Sequence, residues 1–164
     1  MIIVLLGPQG SGKGTQAELL VRDRGFVRFE TGKYFRESND PEILDLINQG
    51  KLVPDEITNR VLLKFISDNP GDNLLFDGSP RTISQYDAIR EVLDKVIVLR
   101  ISEMESVHRL SARRQCKICG EIYNLITTPP RCNHNQLVQR EDDKPKAIKK
   151  RLELFRLQTE PVIK

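Results

Sequence analysis

The segment GPQGSGKGTQ at positions 7–16 constrains the fold of this chain more than any other feature. It follows IIVLL (2–6), a continuous apolar run typical of a strand buried on both faces of a parallel sheet. It precedes TQAELLVRD (15–23), whose apolar residues have helical spacing. A glycine-rich turn in this context directs backbone N–H groups at an anion. We therefore predict a phosphate-binding loop, with Lys13 reaching the outer phosphates, in preference to a turn without a ligand.

One position departs from the common phosphate-loop pattern. After Gly12 and Lys13 that pattern has Ser or Thr, whose hydroxyl binds magnesium. This chain has Gly14 there, and Thr15 comes one position late. The loop alone leaves open whether it is damaged, a chance match or suited to a different reaction.

The rest of the chain alternates strands and helices. Apolar runs predict further strands at 26–29, 74–76 and 96–99, and helical periodicity predicts helices at 41–50, 56–66 and 84–93. The alternation predicts an α/β fold with a parallel sheet. Ligands of such sheets bind beyond the carboxyl ends of the strands. Asp77, Gly78 and Arg81 follow one strand at the same end as the glycine-rich loop, so we expect both segments to form one site.

The segment 115–144 interrupts the alternation and is predicted to be an insertion with its own small fold. It contains all three cysteines of the chain. Cys116, Cys119, Cys132 and His134 supply three thiolates and an imidazole, the ligand set of a closed structural zinc site. The alternative is three free thiols in a reducing compartment. After the insertion a helical pattern returns at Lys144, and Asp142 and Asp143 are expected to cap its start.

Composition narrows the class of protein. The chain has 164 residues, enough for one domain with a core, and a net charge of +3, which suits anionic ligands as well as nucleic acid. It has no Trp and 5% aromatic residues, so stacking platforms for bases are not expected. The apolar start stops at Gly7 without a preceding charged segment, unlike a secretory signal. We expect a cytoplasmic protein, a monomer without membrane or nucleic-acid partners.

Arginines dominate the remaining candidate residues, which are Arg36, Arg81, Arg109, Arg113, Arg140 and Arg151. A single surface arginine is most often solvated. Arg109 and Arg113 are four residues apart, which predicts that they share one face of a helix. The sequence contexts of these arginines, taken together, indicate which family the chain resembles.

These contexts resemble the adenylate kinases, a family of nucleoside monophosphate kinases, along the whole chain. The segments that carry the resemblance, besides the loop, are TGKYFR (31–36), GKLVPDE (50–56), DGSPRTISQ (77–85), RLSARR (109–114), LVQREDD (137–143) and KKRLELF (149–155). In that family Gly-Thr after the loop lysine is usual, so Gly14 does not indicate a damaged loop. The resemblance implies an α/β P-loop fold in three layers with a parallel sheet core. The implied parts are a P-loop core at 1–29, 59–114 and 145–164, a small helical NMP-binding lobe at 30–58, and a zinc-ribbon-like lid at 115–144.

The resemblance also implies the reaction and the roles of individual residues. The expected reaction is transfer of the ATP γ-phosphoryl to AMP, giving two ADP, with Mg²⁺ accompanying ATP and a structural Zn²⁺ in the lid. ATP binding falls to Gly7, Gly10, Ser11, Gly12, Lys13, Gly14, Thr15 and Arg109. AMP binding falls to Thr31, Arg36, Lys51, Val53, Gly78, Arg81, Gln85, Arg140 and Arg151, with Gln85 at the adenine edge. The catalytic residues are Lys13, Arg81, Arg113, Arg140 and Arg151, and Asp77 is expected to hold magnesium through water.

Three departures from the family pattern are visible. Lys33 stands where the family has an Asp beside the magnesium waters, and Ser79 stands where Phe is usual. The chain ends at LQTEPVIK, so we expect it to lack the usual C-terminal strand and helix and to leave a sheet edge unpaired. The alternatives to an adenylate kinase are a kinase for UMP or CMP, or a truncated nucleotide-binding module without activity.

Overall fold

A computed structural model of the chain describes residues 1–127 and 130–164. The strands are β1 (Ile2–Leu6), β2 (Val27–Glu30), β3 (Leu74–Asp77), β4 (Lys95–Val98), β5 (Arg113–Cys116), β6 (Ile122–Asn124) and β7 (Leu137–Val138). The helices are α1 (Lys13–Arg24), α2 (Thr31–Arg36), α3 (Pro41–Asn48), α4 (Asp55–Asp68), α5 (Ile83–Ile89), α6 (Glu103–Ser111), α7 (Pro145–Leu154) and α8 (Glu160–Ile163). A π-helical turn at Phe155–Thr159 joins the last two helices.

The central sheet has the order β2-β3-β1-β4, and its strands are parallel. Every residue of β3 is buried and β1 is buried from Ile3 onward, as the continuous apolar runs predicted. The pairing places Leu5 beside Asp77 and Asp77 beside Glu30, so three strands end at the same level. These ends carry the groups that form the site described below.

Helices cover both faces of this sheet. On one face α1 packs over a buried cluster of Ile3, Leu5, Ala17, Phe26 and Leu75. On the other face α4, α5 and α8 pack over a cluster that includes Val4, Leu6, Phe29, Leu62, Phe76 and Ile89. The result is three layers, which confirms the fold class predicted from the sequence.

A small helical lobe follows β2. Helix α3 begins after Asp40, whose carboxylate accepts hydrogen bonds from the backbone N–H groups of Glu42 and Ile43, and Pro41 occupies the first turn. Phe35, Ile43 and Val53 form a separate buried cluster there. The predicted helix at 41–50 is confirmed.

The inserted segment is built on an antiparallel sheet in the order β6-β5-β7. This sheet contradicts the prediction that Arg109 and Arg113 share a helix face. Helix α6 ends at Ser111, and Arg113 is the first residue of β5. The four-residue spacing is helical only if the helix continues, and here the chain leaves it at Ala112 to pair with β6.

The predicted capping of α7 is also wrong. The N-cap residue is Lys144, and no side chain forms a capping hydrogen bond. Asp142 and Asp143 lie in a short 3₁₀ turn (Glu141–Asp143) before it, and both are buried. Their carboxylates bind arginines instead of backbone N–H groups, because buried guanidinium groups offer charged partners.

Within the described residues β4 pairs with β1 alone and forms one edge of the sheet, where Val96 and Ile97 are exposed. This confirms the expected unpaired edge. In the same described part of the chain, no helix has the length and apolar character needed to cross a bilayer.

Candidate active site

The glycine-rich loop connects β1 to α1 at the carboxyl end of the sheet. Gly7 has φ +147°, and a Cβ at this position would overlap the carbonyl oxygen of Leu99. Gly12 is left-handed and precedes the first turn of α1. The Lys13 side chain folds back over the loop, and its Nζ donates to the carbonyl oxygens of Gly7 at 2.7 Å and Pro8 at 2.9 Å. The loop therefore has the geometry of an anion site with its lysine in place.

Helix α6 supports the loop from the side. The buried Ser106 hydroxyl donates to the carbonyl oxygen of Gln9. Arg109 donates to the carbonyl oxygen of Gly10 at 3.4 Å and is held by Glu105 at 2.6 Å. These bonds hold the Gln9 and Gly10 carbonyl groups of the loop against α6.

Burial lowers the pKa of Lys13 from its ordinary 10.5 to about 7. The Asp77 carboxylate opposes this shift, and the positive charges of Arg81, Arg151 and Arg113 add to it. A buried ammonium group surrounded by guanidinium groups is costly without an anion. The site is therefore electrostatically prepared for phosphate.

Two adjoining cavities open at the loop. The larger, of about 600 Å³, is lined by residues of the glycine-rich loop, the ends of the strands and the inserted segment. The smaller lies between the helical lobe, the segment that follows β3, and α7 with the π-helical turn after it. Arg36, Arg81 and Arg151 line both, so the cavities form one continuous site.

Nearly all the nucleotide-site residues predicted from the sequence line these cavities. The larger is lined by Gly7, Gly10, Gly12, Lys13, Gly14, Thr15, Asp77, Gly78, Arg109, Arg113 and Arg140, besides the three shared arginines. The smaller is lined by Thr31, Lys51, Val53 and Gln85 in addition. Ser11 lines neither and is buried, with a hydroxyl that has no hydrogen-bond partner among the described residues.

Two consecutive aspartates hold the buried arginines. Asp143 binds Arg113 through two hydrogen bonds of 2.7 and 2.5 Å and lies 3.2 Å from Arg151. Asp142 binds Arg140 at 2.8 and 2.5 Å and also lies 3.2 Å from Arg151. Burial alone would raise the pKa of Asp142, but Arg151 and Arg140 outweigh it and the pKa lies well below its usual range.

The smaller cavity has a polar wall. The hydroxyls of Thr31 and Ser79 are 2.7 Å apart, and both are buried. Gln85 donates to Asp55 at 2.8 Å, and its oxygen accepts from the backbone N–H of Arg81 at 2.7 Å. Its amide is thus fixed in orientation by its neighbours.

The residue that carries the positive charge next to Asp77 is not the one that the sequence suggested. Lys33 has a side chain that is 63% exposed and lies 4.0 Å from Glu37. The cation beside Asp77 is Arg28, whose guanidinium is 2.5 Å from the Asp77 carboxylate and 3.2 Å from Glu30. Sequence reasoning missed Arg28 and Glu30. The signal available in the sequence was the two-residue spacing of Arg28 and Glu30, in and directly after the strand predicted at 26–29. In a strand this spacing places both side chains on the same face of the sheet.

The inserted segment brings together the four metal-ligand candidates. Ligand atoms of Cys116, Cys119, Cys132 and His134 all lie within 4.8 Å of one another. A backbone N–H of Cys119 lowers the pKa of the Cys116 thiol to about 6, which favours the thiolate that binds metals. Four such atoms at these separations suit a tetrahedral ion with bonds of ~2.0–2.3 Å.

The chain is similar in sequence to known proteins. A sequence model of the family described as Adenylate kinase matches residues 5–164. The adenylate kinase of Thermosipho melanesiensis is 38% identical over 183 aligned residues, covering 99% of this chain and 86% of the relative. That of Caldicellulosiruptor saccharolyticus is 38% identical and that of Elusimicrobium minutum 40%, each over 99% of this chain and 85% of the relative.

The lowered pKa of Lys13 predicts proton uptake when the loop is filled. At pH 8 the free side chain, with a pKa of about 7, is mostly neutral, and bound phosphates raise that pKa and charge it. Calorimetry of Mg-ATP binding in buffers of different ionisation enthalpy should show uptake that approaches one proton at pH 8 and declines toward pH 6. Lys13→Arg, which stays charged, should bind without this uptake. Equal proton uptake in both proteins would contradict the assignment of the uptake to Lys13.

Proposed function

The chain belongs to the adenylate kinase family, and we propose that it catalyses the reversible transfer of the ATP γ-phosphoryl to AMP, giving two ADP. The observation that carries the proposal is the continuous site. A phosphate-binding loop opens into one cavity, a polar pocket suited to a second nucleotide opens into the other, and Arg36, Arg81 and Arg151 line both. Family membership supports the same reaction.

The arrangement suits transfer between two phosphates. The acceptor phosphate is already an anion at neutral pH, so the reaction needs no general base. Positioning of the two nucleotides and neutralisation of charge at the transferring group supply the rate enhancement. Arginine suits this role because its planar guanidinium forms paired hydrogen bonds with phosphate oxygens.

We assign the residues as the resemblance implied. ATP contacts Gly7, Gly10, Ser11, Gly12, Lys13, Gly14, Thr15 and Arg109. AMP contacts Thr31, Arg36, Lys51, Val53, Gly78, Arg81, Gln85, Arg140 and Arg151. Lys13, Arg81, Arg113, Arg140 and Arg151 surround the transferring group. The lobe at 30–58 and the lid at 115–144 close over the nucleotides and exclude water. The cytoplasmic location and the monomeric state stay predictions.

Magnesium accompanies ATP in this family and neutralises phosphate charge when bound. The donor set here fits a hard cation, because Thr15, Glu18, Glu30 and Asp77 place hydroxyl and carboxylate oxygens in the larger cavity. We assign Asp77 to the ion through water. This carboxylate lies at the strand end beside the loop and is only 7% exposed.

Zinc is the ion that best fits the lid cluster. Three sulfurs and one nitrogen form a soft, closed, four-ligand set on a segment outside the P-loop core. The ion would hold the lid together and take no part in phosphoryl transfer. Tyr123 supports the cluster, because its hydroxyl accepts the backbone N–H of Cys132 at 3.2 Å.

The first test is an acceptor panel. The chain is incubated with Mg-ATP and, separately, AMP, UMP, CMP or GMP, and diphosphate formation is followed. We expect ADP to form with AMP at a rate well above that with the other monophosphates. Faster product formation with UMP or CMP would indicate another monophosphate kinase. ATP binding without any product would indicate a nucleotide-binding module.

Arg81 offers the cleanest test of the arginine cluster. Its guanidinium donates to the carbonyl oxygen of Gly78 at 2.5 Å, so Arg81→Gln removes a charge without breaking any carboxylate pair found in the described residues. We expect the turnover rate to fall by roughly 10³-fold or more, by analogy with arginine fingers. The matched control is Arg114→Gln, since Arg114 also donates to backbone carbonyl oxygens, those of Ser111 and Arg113. Comparable losses in both variants would contradict the assignment of Arg81.

The two histidines of the chain provide a matched test of the zinc site. We expect the protein, purified without chelator, to contain one zinc per chain by elemental analysis. His134→Ala should lose most of that zinc, and His108→Ala, on the exposed part of α6, should retain it. Chelation should lower the unfolding temperature of the unaltered protein. Three titratable thiols and no metal in the purified protein would favour the free-thiol alternative.

A further inference from the structure

Arg28 lies beside Asp77, the residue that we assign to magnesium in the proposed active site. It lies on β2 opposite Leu75, on the face of the sheet that packs against α1. Its side chain is only 18% exposed and reaches the strand end, where it lines the larger cavity together with Lys13, Thr15 and Asp77. A partly buried guanidinium in that place adds a positive charge to the site.

Gly14, the residue after the loop lysine, lies close to the Arg28 guanidinium. A Cβ built on Gly14 would be in ordinary van der Waals contact with Arg28 Nη2, at 3.4 Å. The common phosphate loop has at this position the Ser or Thr whose hydroxyl binds magnesium. In this chain the guanidinium of Arg28, from β2, reaches the same part of the loop.

Arg28 shares carboxylates that are suited to a metal ion. Its guanidinium lies 2.5 Å from Asp77, 3.2 Å from Glu30 and 4.0 Å from Glu18. Glu30 is itself shared with Arg36 at 3.3 Å. The Arg28 Nε–H is buried and has no hydrogen-bond partner among the described residues, so the guanidinium keeps one donor for a further oxygen.

We propose that Arg28 and Mg²⁺ compete for Asp77, so that Arg28 acts as a resident cation that makes ATP binding less dependent on magnesium. Before magnesium arrives, Arg28 occupies the carboxylate and offsets part of the phosphate charge. With the ion bound, Glu30 and Glu18, which lie 3.2 and 4.0 Å from the guanidinium, would keep Arg28 paired with a carboxylate. Arg28 is a positioning residue in this scheme, because it acts on the ion through Asp77. The inference rests on the proposed function.

The proposal predicts a change in the coupling between ATP and magnesium. Titration calorimetry gives the dissociation constant of ATP for the full chain in EDTA and in excess magnesium. The constant in EDTA divided by the constant in magnesium measures the coupling. For Arg28→Gln we expect this ratio to rise by about tenfold, mainly because magnesium-free ATP binds more weakly without the charge-assisted contact. Arg28→Lys keeps the charge without the planar guanidinium, and its ratio should lie between those of the unaltered protein and Arg28→Gln.

The control is Arg22→Gln, which removes the same charge from a side chain that is 71% exposed and pairs with Asp23. Its ratio should equal that of the unaltered protein. Because Arg28→Gln leaves the buried Asp77 without this partner, circular dichroism checks its folding. If it does not fold, Arg28→Lys, which keeps a positive charge beside Asp77, carries the test, and its ratio should rise in the same direction.

The outcomes separate this inference from the proposed function. ATP binding to the folded variants with an unchanged ratio would overturn the role of Arg28 and leave the kinase proposal intact. Equal weakening of ATP binding with and without magnesium would also overturn it, because a purely structural role predicts that result. Failure of the unaltered protein to bind ATP in either condition would overturn both.

Discussion

Repulsion among buried cations is the constraint on which the rest of this structure depends. Lysine and arginine side chains from the loop, the helical lobe, the lid and α7 converge on one cavity. Without a ligand they must be balanced by carboxylates of the chain itself, because an unpaired buried charge is costly. Asp142 and Asp143 balance three of them, and Asp77 and Glu30 balance Arg28 and Arg36. This pairing links the lid to α7 and β2 to β3.

The sequence predicted well whatever depends on continuous local patterns. The apolar run 2–6 specifies β1 and the periodic stretch 41–50 specifies α3, because a buried parallel strand and an amphipathic helix leave recognisable patterns. The cysteine spacing, with His134 close by, also predicted a cluster that the structure brings within 4.8 Å. These features are encoded within short stretches of chain.

Features that depend on distant partners were predicted poorly. Arg113 was assigned to a helix by its spacing from Arg109, although pairing of β5 with β6 ends that helix pattern. Asp142 and Asp143 have the ordinary look of capping residues, and their binding to Arg113, Arg140 and Arg151 depends on residues brought together only by the fold. Arg28 was missed for the same reason, since its partner Asp77 is 49 residues away.

The departures near the magnesium position are best understood together. Lys33 stands where the family has an acidic residue, and it would place a positive charge beside a metal ion only if its side chain pointed inward. In the structure the side chain extends toward Glu37 at the surface. The charge balance of the strand ends is then set by Arg28, Glu30 and Asp77, which neighbour one another because β2 and β3 are in register. Gly14 lies beside the same guanidinium, at a distance where a Cβ would make an ordinary van der Waals contact. The positive charge at these strand ends therefore comes from Arg28 and not from Lys33, and it can be interpreted only together with the carboxylates of Glu30 and Asp77.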